Sequence, residues 1–376
     1  MRRLAPVVLV LAAIAVGTGV WWWTTRPPPS DMLRIGCITA LTGDGAAYGL
    51  AEQRGLAIAA EEINQAGGID GKRIRVLCED DQLNPSAGLD AMRKLIDADK
   101  VPVIIGAGGS SVTLALAPIA DRTKVVLFSP SSTADAIRDA GDYVFRNVPS
   151  NNTQGDSAAA FARKHLNANN AAIFQMNNDY GLSLGSSFKA AFEGGGGQIV
   201  SVAAYDAGTA DFRGELAKIR DLAPDVVFFP GYVEDSGLIL KQARELGIKS
   251  TFIGGDGAYS PTLIKIAGPA AEGSYYTVMV MAVGSADQKI ERFIAAYKAK
   301  YGAAPQLSSA YAYDALLTIA EAIRRGGYSG EGIRNALYQI SFDGITGTTR
   351  FDRFGDVDKP WGVYEVKNGT FVLKAW

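Results

Sequence analysis

From Leu33 onward the chain alternates short apolar runs with stretches whose apolar positions recur every three or four residues. Leu33–Ala40, Arg73–Asp80, Val103–Gly106 and Val125–Ser129 are short runs bounded by small or polar residues, the pattern of strands buried on both faces. Helical spacing fills the gaps at Tyr48–Ala66, Ser86–Ala98 and Ser110–Arg122. Gly67-Gly68 stops the first of these helices, and Asn84-Pro85 opens the second. Around Tyr143–Gly155 the pattern breaks into a polar stretch. A second series then starts, with strands at Ala171–Gln175, Gln198–Ala204, Val226–Phe229 and Thr251–Gly254. Its helices are expected at Leu182–Glu193, Asp211–Leu222 and Asp235–Leu246. Two strand–helix series of similar length predict an α/β protein with two doubly wound parallel-sheet lobes.

The end of the chain departs from this repetition. Ser274–Met281 reads as a strand, Gln288–Tyr301 and Ser309–Arg325 as long amphipathic helices, and Glu331–Ile340 as a shorter one. Thr349–Phe351 precedes a hairpin, Gly362–Lys367 to Thr370–Lys374, turning at Asn368-Gly369.

Upstream, Arg2 and Arg3 precede an apolar stretch, Leu4–Trp23, which is followed by Arg26-Pro27-Pro28-Pro29-Ser30. Positive charge before an apolar run directs the rest of the chain out of the cytoplasm. The segment, with its spacer covering residues 1–32, fits two fates. It is a cleaved signal with Ala13 and Ala15 near the cut, or a retained anchor, since about 20 apolar residues span a bilayer. The whole chain has 376 residues, enough for two domains, and a net charge of −2 with no basic run to hold nucleic acid. One histidine, His165, and two cysteines leave little from which to build a metal site, and no cofactor is called for. Cys37 and Cys78 fall late in strands that should be neighbours, and can be bonded or be buried free thiols.

Candidate chemistry sits in the turns. Gly106-Ala107-Gly108-Gly109-Ser110-Ser111 follows a strand and opens a helix, where free N–H groups and hydroxyls suit an anion. Ser129-Pro130-Ser131-Ser132-Thr133 offers a second hydroxyl cluster at the same end of the sheet, where ligands are expected. Gly181-Leu182-Ser183-Leu184-Gly185 has hydrolase-elbow spacing, but no strand runs into the serine and the single histidine precedes it. Asp352, Asp356 and Asp358 do not have calcium-loop spacing. With no nucleophile–base pair in view, the chain does not read as an enzyme.

The run Ile35-Gly36-Cys37-Ile38-Thr39-Ala40-Leu41-Thr42-Gly43 resembles the opening of the type I periplasmic binding proteins of ABC transporters, in particular the leucine/isoleucine/valine-binding family. Glu62–Ile69, Ile104-Ile105-Gly106 with Ser110-Ser111, Asp179-Tyr180-Gly181, Gly231-Tyr232 and Ala271-Glu272-Gly273 extend the resemblance to the C-terminus. It implies two lobes joined by three crossings, near Pro149–Ser150, Val278–Met281 and Ser341–Asp343. Lobe one would be 33–149 with 279–342, and lobe two 150–278 with 343–376. It also implies roles. Ser110 and Thr133 would hold an amino-acid carboxylate, with Gly108 and Ser132 in the same turns, and the Ser131 carbonyl would accept from the ammonium. Asp256 stands where the family places a glutamate that pairs with that ammonium. Tyr180, Tyr232, Tyr48 and Tyr311 would cover the ligand.

The resemblance therefore implies an exported protein that binds an amino acid and delivers it to a transporter permease. Two alternatives stay open: another solute, such as an amide, a urea-like compound or an aromatic carboxylate, or a membrane-anchored sensor.

Overall fold

The computed structural model describes residues 32–280 and 288–375; the expected signal or anchor segment, apart from Met32, lies outside the described residues. No helix among the described residues is long and apolar enough to cross a membrane. The first series comprises β1 (Leu33–Thr39), α1 (Ala46–Gln65), β2 (Ile74–Asp80), α2 (Pro85–Asp97), β3 (Val103–Ile105), α3 (Ser110–Thr123), β4 (Val126–Ser129) and β5 (Val144–Arg146). Its strands form a parallel sheet in the order β2-β1-β3-β4-β5. The order reverses between β1 and β3, so the turns that leave their carboxyl ends diverge and open a crevice. Cys37 and Cys78 face each other in register on β1 and β2 and are joined by a disulfide, which resolves the alternative left open above.

The second series comprises α4 (Asn151–Lys164), β6 (Asn170–Met176), α5 (Asp179–Gly194), β7 (Gln198–Tyr205), α6 (Arg213–Leu222), β8 (Val226–Phe228), α7 (Val233–Glu245), β9 (Thr251–Gly254), α8 (Pro261–Ala267) and β10 (Tyr275–Met279). The expected second crossing, Val278–Met281, begins within the end of β10, and Met281 lies outside the described residues. The chain then returns to the first lobe through α9 (Gln288–Tyr301), α10 (Leu307–Gly326) and α11 (Gly330–Leu337). Phe293, Leu316, Ile319 and Ile333 of these helices share one core with Ile35, Val103 and Phe128. α10 lies so close to α1 that a Cβ on Gly55 would sit 2.0 Å from the Ser309 carbonyl oxygen. Only glycine fits there.

A small hairpin follows, β11 (Phe342–Gly344) and β12 (Gly347–Thr349), and then β13 (Trp361–Lys367) and β14 (Thr370–Ala375). β13 pairs antiparallel with β10 and completes a seven-stranded sheet, β14-β13-β10-β9-β8-β6-β7. Asn368 and Gly369 both have positive φ (53° and 70°), the backbone that a tight two-residue hairpin turn needs.

One boundary differs from expectation. Residues 343–357 were expected in the second lobe, yet Ile345, Phe351 and Val357 pack into the core of the first. The Arg146 N–H also donates to the Gly355 carbonyl (3.0 Å). These contacts keep residues 345–357 with the first sheet up to the approach to β13. Burying these three apolar side chains stabilises that placement.

A cleft between the two lobes

Turns from the carboxyl ends of both sheets face one another across a single cleft. On the first lobe, α3 starts at Ser110 with Gly109 in the N-cap position and no side chain capping it. The first-turn N–H groups of such a helix have no intrahelical acceptor and carry the positive end of its dipole. The Ser110 hydroxyl oxygen accepts from the Ala134 N–H (3.2 Å), which leaves its own proton to give. The glycine turn is needed before it: Gly106 has φ +151°, and a Cβ there would meet the Ile38 carbonyl at 2.3 Å.

On the second lobe, Asp256 is separated from the end of β9 by Gly255 alone. Its Oδ1 accepts from Tyr180 Oη (2.9 Å) and Gln154 Nε2 (3.0 Å). Burial pushes this carboxyl above its ordinary pKa, against those hydrogen bonds, which favour the charged form. Tyr180 and Tyr232 stack with ring centroids 5.5 Å apart and planes 7° from parallel. Tyr48 reaches over from α1, lies 6.5 Å from the Tyr232 ring and donates to the Gly257 carbonyl. Tyr311 lines the same cleft, with its hydroxyl given to the Met279 carbonyl (3.0 Å).

Eight of the ten expected site residues thus line the cleft: Gly108, Ser110 and Ser131 with the four tyrosines and Asp256. Ser132 and Thr133 are not part of its wall. Ser132 Oγ bonds inward to the Ala107 carbonyl (3.0 Å) and Thr113 Oγ1 (2.8 Å), bracing the glycine turn from behind. Thr133 is buried with no partner for its Oγ1 among the described residues, and its carbonyl accepts from the Asn151 N–H (2.7 Å) and Arg146 Nη1 (3.0 Å).

Two residues of the site were not anticipated. Gln154 orients Asp256 from the first turn of α4, inside the stretch read as a polar break. Glu52 lines the cleft from α1, held by Ser131 Oγ on Oε1 and Thr39 Oγ1 on Oε2, each at 2.6 Å. Burial pushes its carboxyl up to about 7, although both hydroxyls favour the ionised form. Its spacing of four from Tyr48 on one helix was the available signal, since residues four apart share a face.

The serine of the elbow-like motif has a different task. Ser183 Oγ donates to Asp135 Oδ2 (2.8 Å) and accepts from the Asp135 N–H (3.1 Å), bridging the two lobes. Ser187 Oγ (3.0 Å) and the Asn152 N–H (2.8 Å) complete the grip on that carboxylate. Asp352 and Asp356, set aside as a calcium loop, pair with arginines.

Two doubly wound lobes that share one enclosed, polar-ended cleft define a solute-binding protein. Residues 32–370 match the family model described as periplasmic binding protein. The chain is 29% identical over 349 residues to the leucine-, isoleucine-, valine-, threonine- and alanine-binding protein of Pseudomonas aeruginosa, covering 92% of this chain and 90% of that one. Its fold matches the substrate-binding protein LivJ of the Streptococcus pneumoniae branched-chain amino acid transporter, solved with isoleucine (TM-score 0.86, 31% identity, 92% and 99% coverage). It also matches an ABC-transporter solute-binding protein of Rhodopseudomonas palustris solved with 3,4-dihydroxybenzoic acid (TM-score 0.83, 25% identity, 92% and 97% coverage). The chain belongs to the type I periplasmic binding proteins, in the leucine/isoleucine/valine-binding family, whose members bind solutes and are not enzymes. The family places it outside the cytoplasm.

Proposed function

We propose that this protein is the substrate-binding component of an ABC transporter, that its cleft closes on an amino acid, and that the closed form docks on the permease. The observation that carries this reading is the opposition, across one cleft, of the uncapped α3 N-terminus with Ser110 to the Asp256 carboxyl. A zwitterion taken from water needs both charges answered inside the protein, or desolvation dominates. Helix N–H groups and a hydroxyl suit a carboxylate, and Asp256 suits an ammonium. In this reading Thr133 contributes its free hydroxyl as the cleft tightens, the Ser131 carbonyl accepts from the ammonium, and Tyr180, Tyr232, Tyr48 and Tyr311 cover the ligand. The disulfide fits an oxidising compartment. The lobes are proposed as 33–149 with 279–357 and 150–278 with 361–375, moving about the three crossings.

A thermal-shift screen of the amino acids tests this. A ligand at a hundred times its Kd stabilises by about 2.7 kcal/mol, which raises the melting temperature by roughly 3–10 °C. If no amino acid shifts the transition and aromatic carboxylates do, the amino-acid reading is wrong while the transport role stands.

Closure itself is testable at Asp135. Asp135→Ala removes the acceptor of two serine hydroxyls and one N–H on the facing lobe. The expected cost to the closed form is ~1–2 kcal/mol, so ligand affinity falls roughly 5- to 30-fold. Small-angle scattering should then show a larger ligand-free particle. Unchanged affinity and radius would mean that these contacts do not control the opening.

A further inference from the structure

The cleft holds two carboxyl groups, one from each lobe, and none of its described lining residues is Lys, Arg or His. Asp256 answers an ammonium in the reading above. Glu52 is left without a task. It is 2% exposed, and a carboxyl enclosed only for structural reasons is expected to face a cation or several N–H donors. Here it receives two hydroxyls, and the charged group acting on it, Asp81, is another acid. Each of its oxygens accepts one hydrogen bond and has room for a second.

Gly108 supplies the other half of the observation. A Cβ there would lie 3.3 Å from both Glu52 oxygens and 3.5 Å from Ser131 Oγ. The φ of Gly108 is not in the left-handed region, so the backbone does not require glycine at this position. What the missing side chain does is keep a path from the cleft to the Glu52 carboxyl open.

We propose that Glu52, Thr39, Ser131 and the bare Gly108 form a polar subsite for the ligand's side chain, and that the amino acid bound carries a hydrogen-bond donor there: a hydroxyl, amide, ammonium or guanidinium. This rests on the amino-acid reading above and narrows it. An alkyl branch seated over Gly108 strips water from the carboxyl and returns no donor, which a site built for a donor penalises. A donor-bearing side chain completes the set that Thr39 and Ser131 begin.

Titration calorimetry with matched amino acids tests it on the wild-type protein: threonine against valine, glutamine against methionine, lysine against norleucine. At least one donor-bearing member should bind about tenfold or more tighter than its apolar counterpart. Glu52→Met should bring that ratio toward one, and Glu52→Gln, which keeps an acceptor oxygen, should retain part of it. If leucine, isoleucine or valine binds tighter than every donor-bearing amino acid, the subsite is refuted and the amino-acid reading survives. An unchanged ratio in a folded Glu52→Met protein refutes it equally. Failure of every amino acid to bind removes both readings together.

Discussion

Asp256→Ala is expected to weaken amino-acid binding roughly 30-fold to several thousandfold. The variant leaves the ligand's ammonium buried opposite no charge, and truncating one member of such a pair costs ~2–5 kcal/mol. Tyr180 and Gln154 lose their shared acceptor as well, so the loss includes the order they impose on that wall. Ser110→Ala should cost less, about 0.5–3 kcal/mol, because the uncapped helix N–H groups remain to hold the carboxylate. Calorimetry on both variants with one amino acid gives the comparison. A ligand with no ammonium would reverse the order, since Asp256 would then have nothing to pair with. An Asp256→Ala protein that binds like wild type overturns the amino-acid reading and leaves the fold untouched.

The second large effect is expected in stability, at a buried ion pair. Arg146 is fully buried and forked onto Asp356, with Nε to Oδ1 at 2.6 Å and Nη2 to Oδ2 at 2.7 Å. Its Nη1 donates to the carbonyls of Thr133 (3.0 Å) and Ala134 (2.9 Å). Asp356→Ala leaves a guanidinium enclosed without a counter-charge, at a cost of ~3–5 kcal/mol. Chemical denaturation should show the loss, and replacing both partners, Arg146→Met with Asp356→Leu, should recover much of it. A single variant within about 1 kcal/mol of wild type would mean that water already reaches the pair. The same variant should also weaken ligand binding, because Arg146, released from Asp356, no longer holds the Thr133 and Ala134 carbonyls in a fixed place.

The parallel strands and the Asn-Gly hairpin were legible because their signals are local: an apolar run, a period, a turn that only certain residues make. α4 was not. Its first turn reads as a loop because Asn151 and Gln154 are polar, yet both are buried. The Asn151 amide donates to the Tyr180 carbonyl, and the Gln154 amide to Asp256 and Thr277, while the amide oxygen of each is buried without a partner among the described residues. Those partners lie between 29 and 123 residues away, beyond any local pattern. β5 was missed for the same reason, since its Arg146 depends on an aspartate 210 residues distant. Glu52 falls inside the expected helix Tyr48–Ala66, and nothing in its sequence neighbourhood announces Ser131 across the fold. The resemblance pointed to Ser110 and Asp256, which the fold brings to one cleft, and could not reveal that Ser132 faces inward.

The return of Phe351 and Val357 to the first core just before β13 joins the second sheet bears on when each lobe can fold. The first core draws on Phe351 and Val357, and the second sheet has no partner for the free edge of β10 until β13 arrives. Contacts spanning most of the chain are slow to form, and a lobe deprived of them exposes apolar surface and an unpaired strand edge. The first lobe is therefore incomplete until Val357 is present, and the second until β13 is present. The layout thus ties the completion of both lobes to the same late stretch of chain, so neither can become compact much before the other.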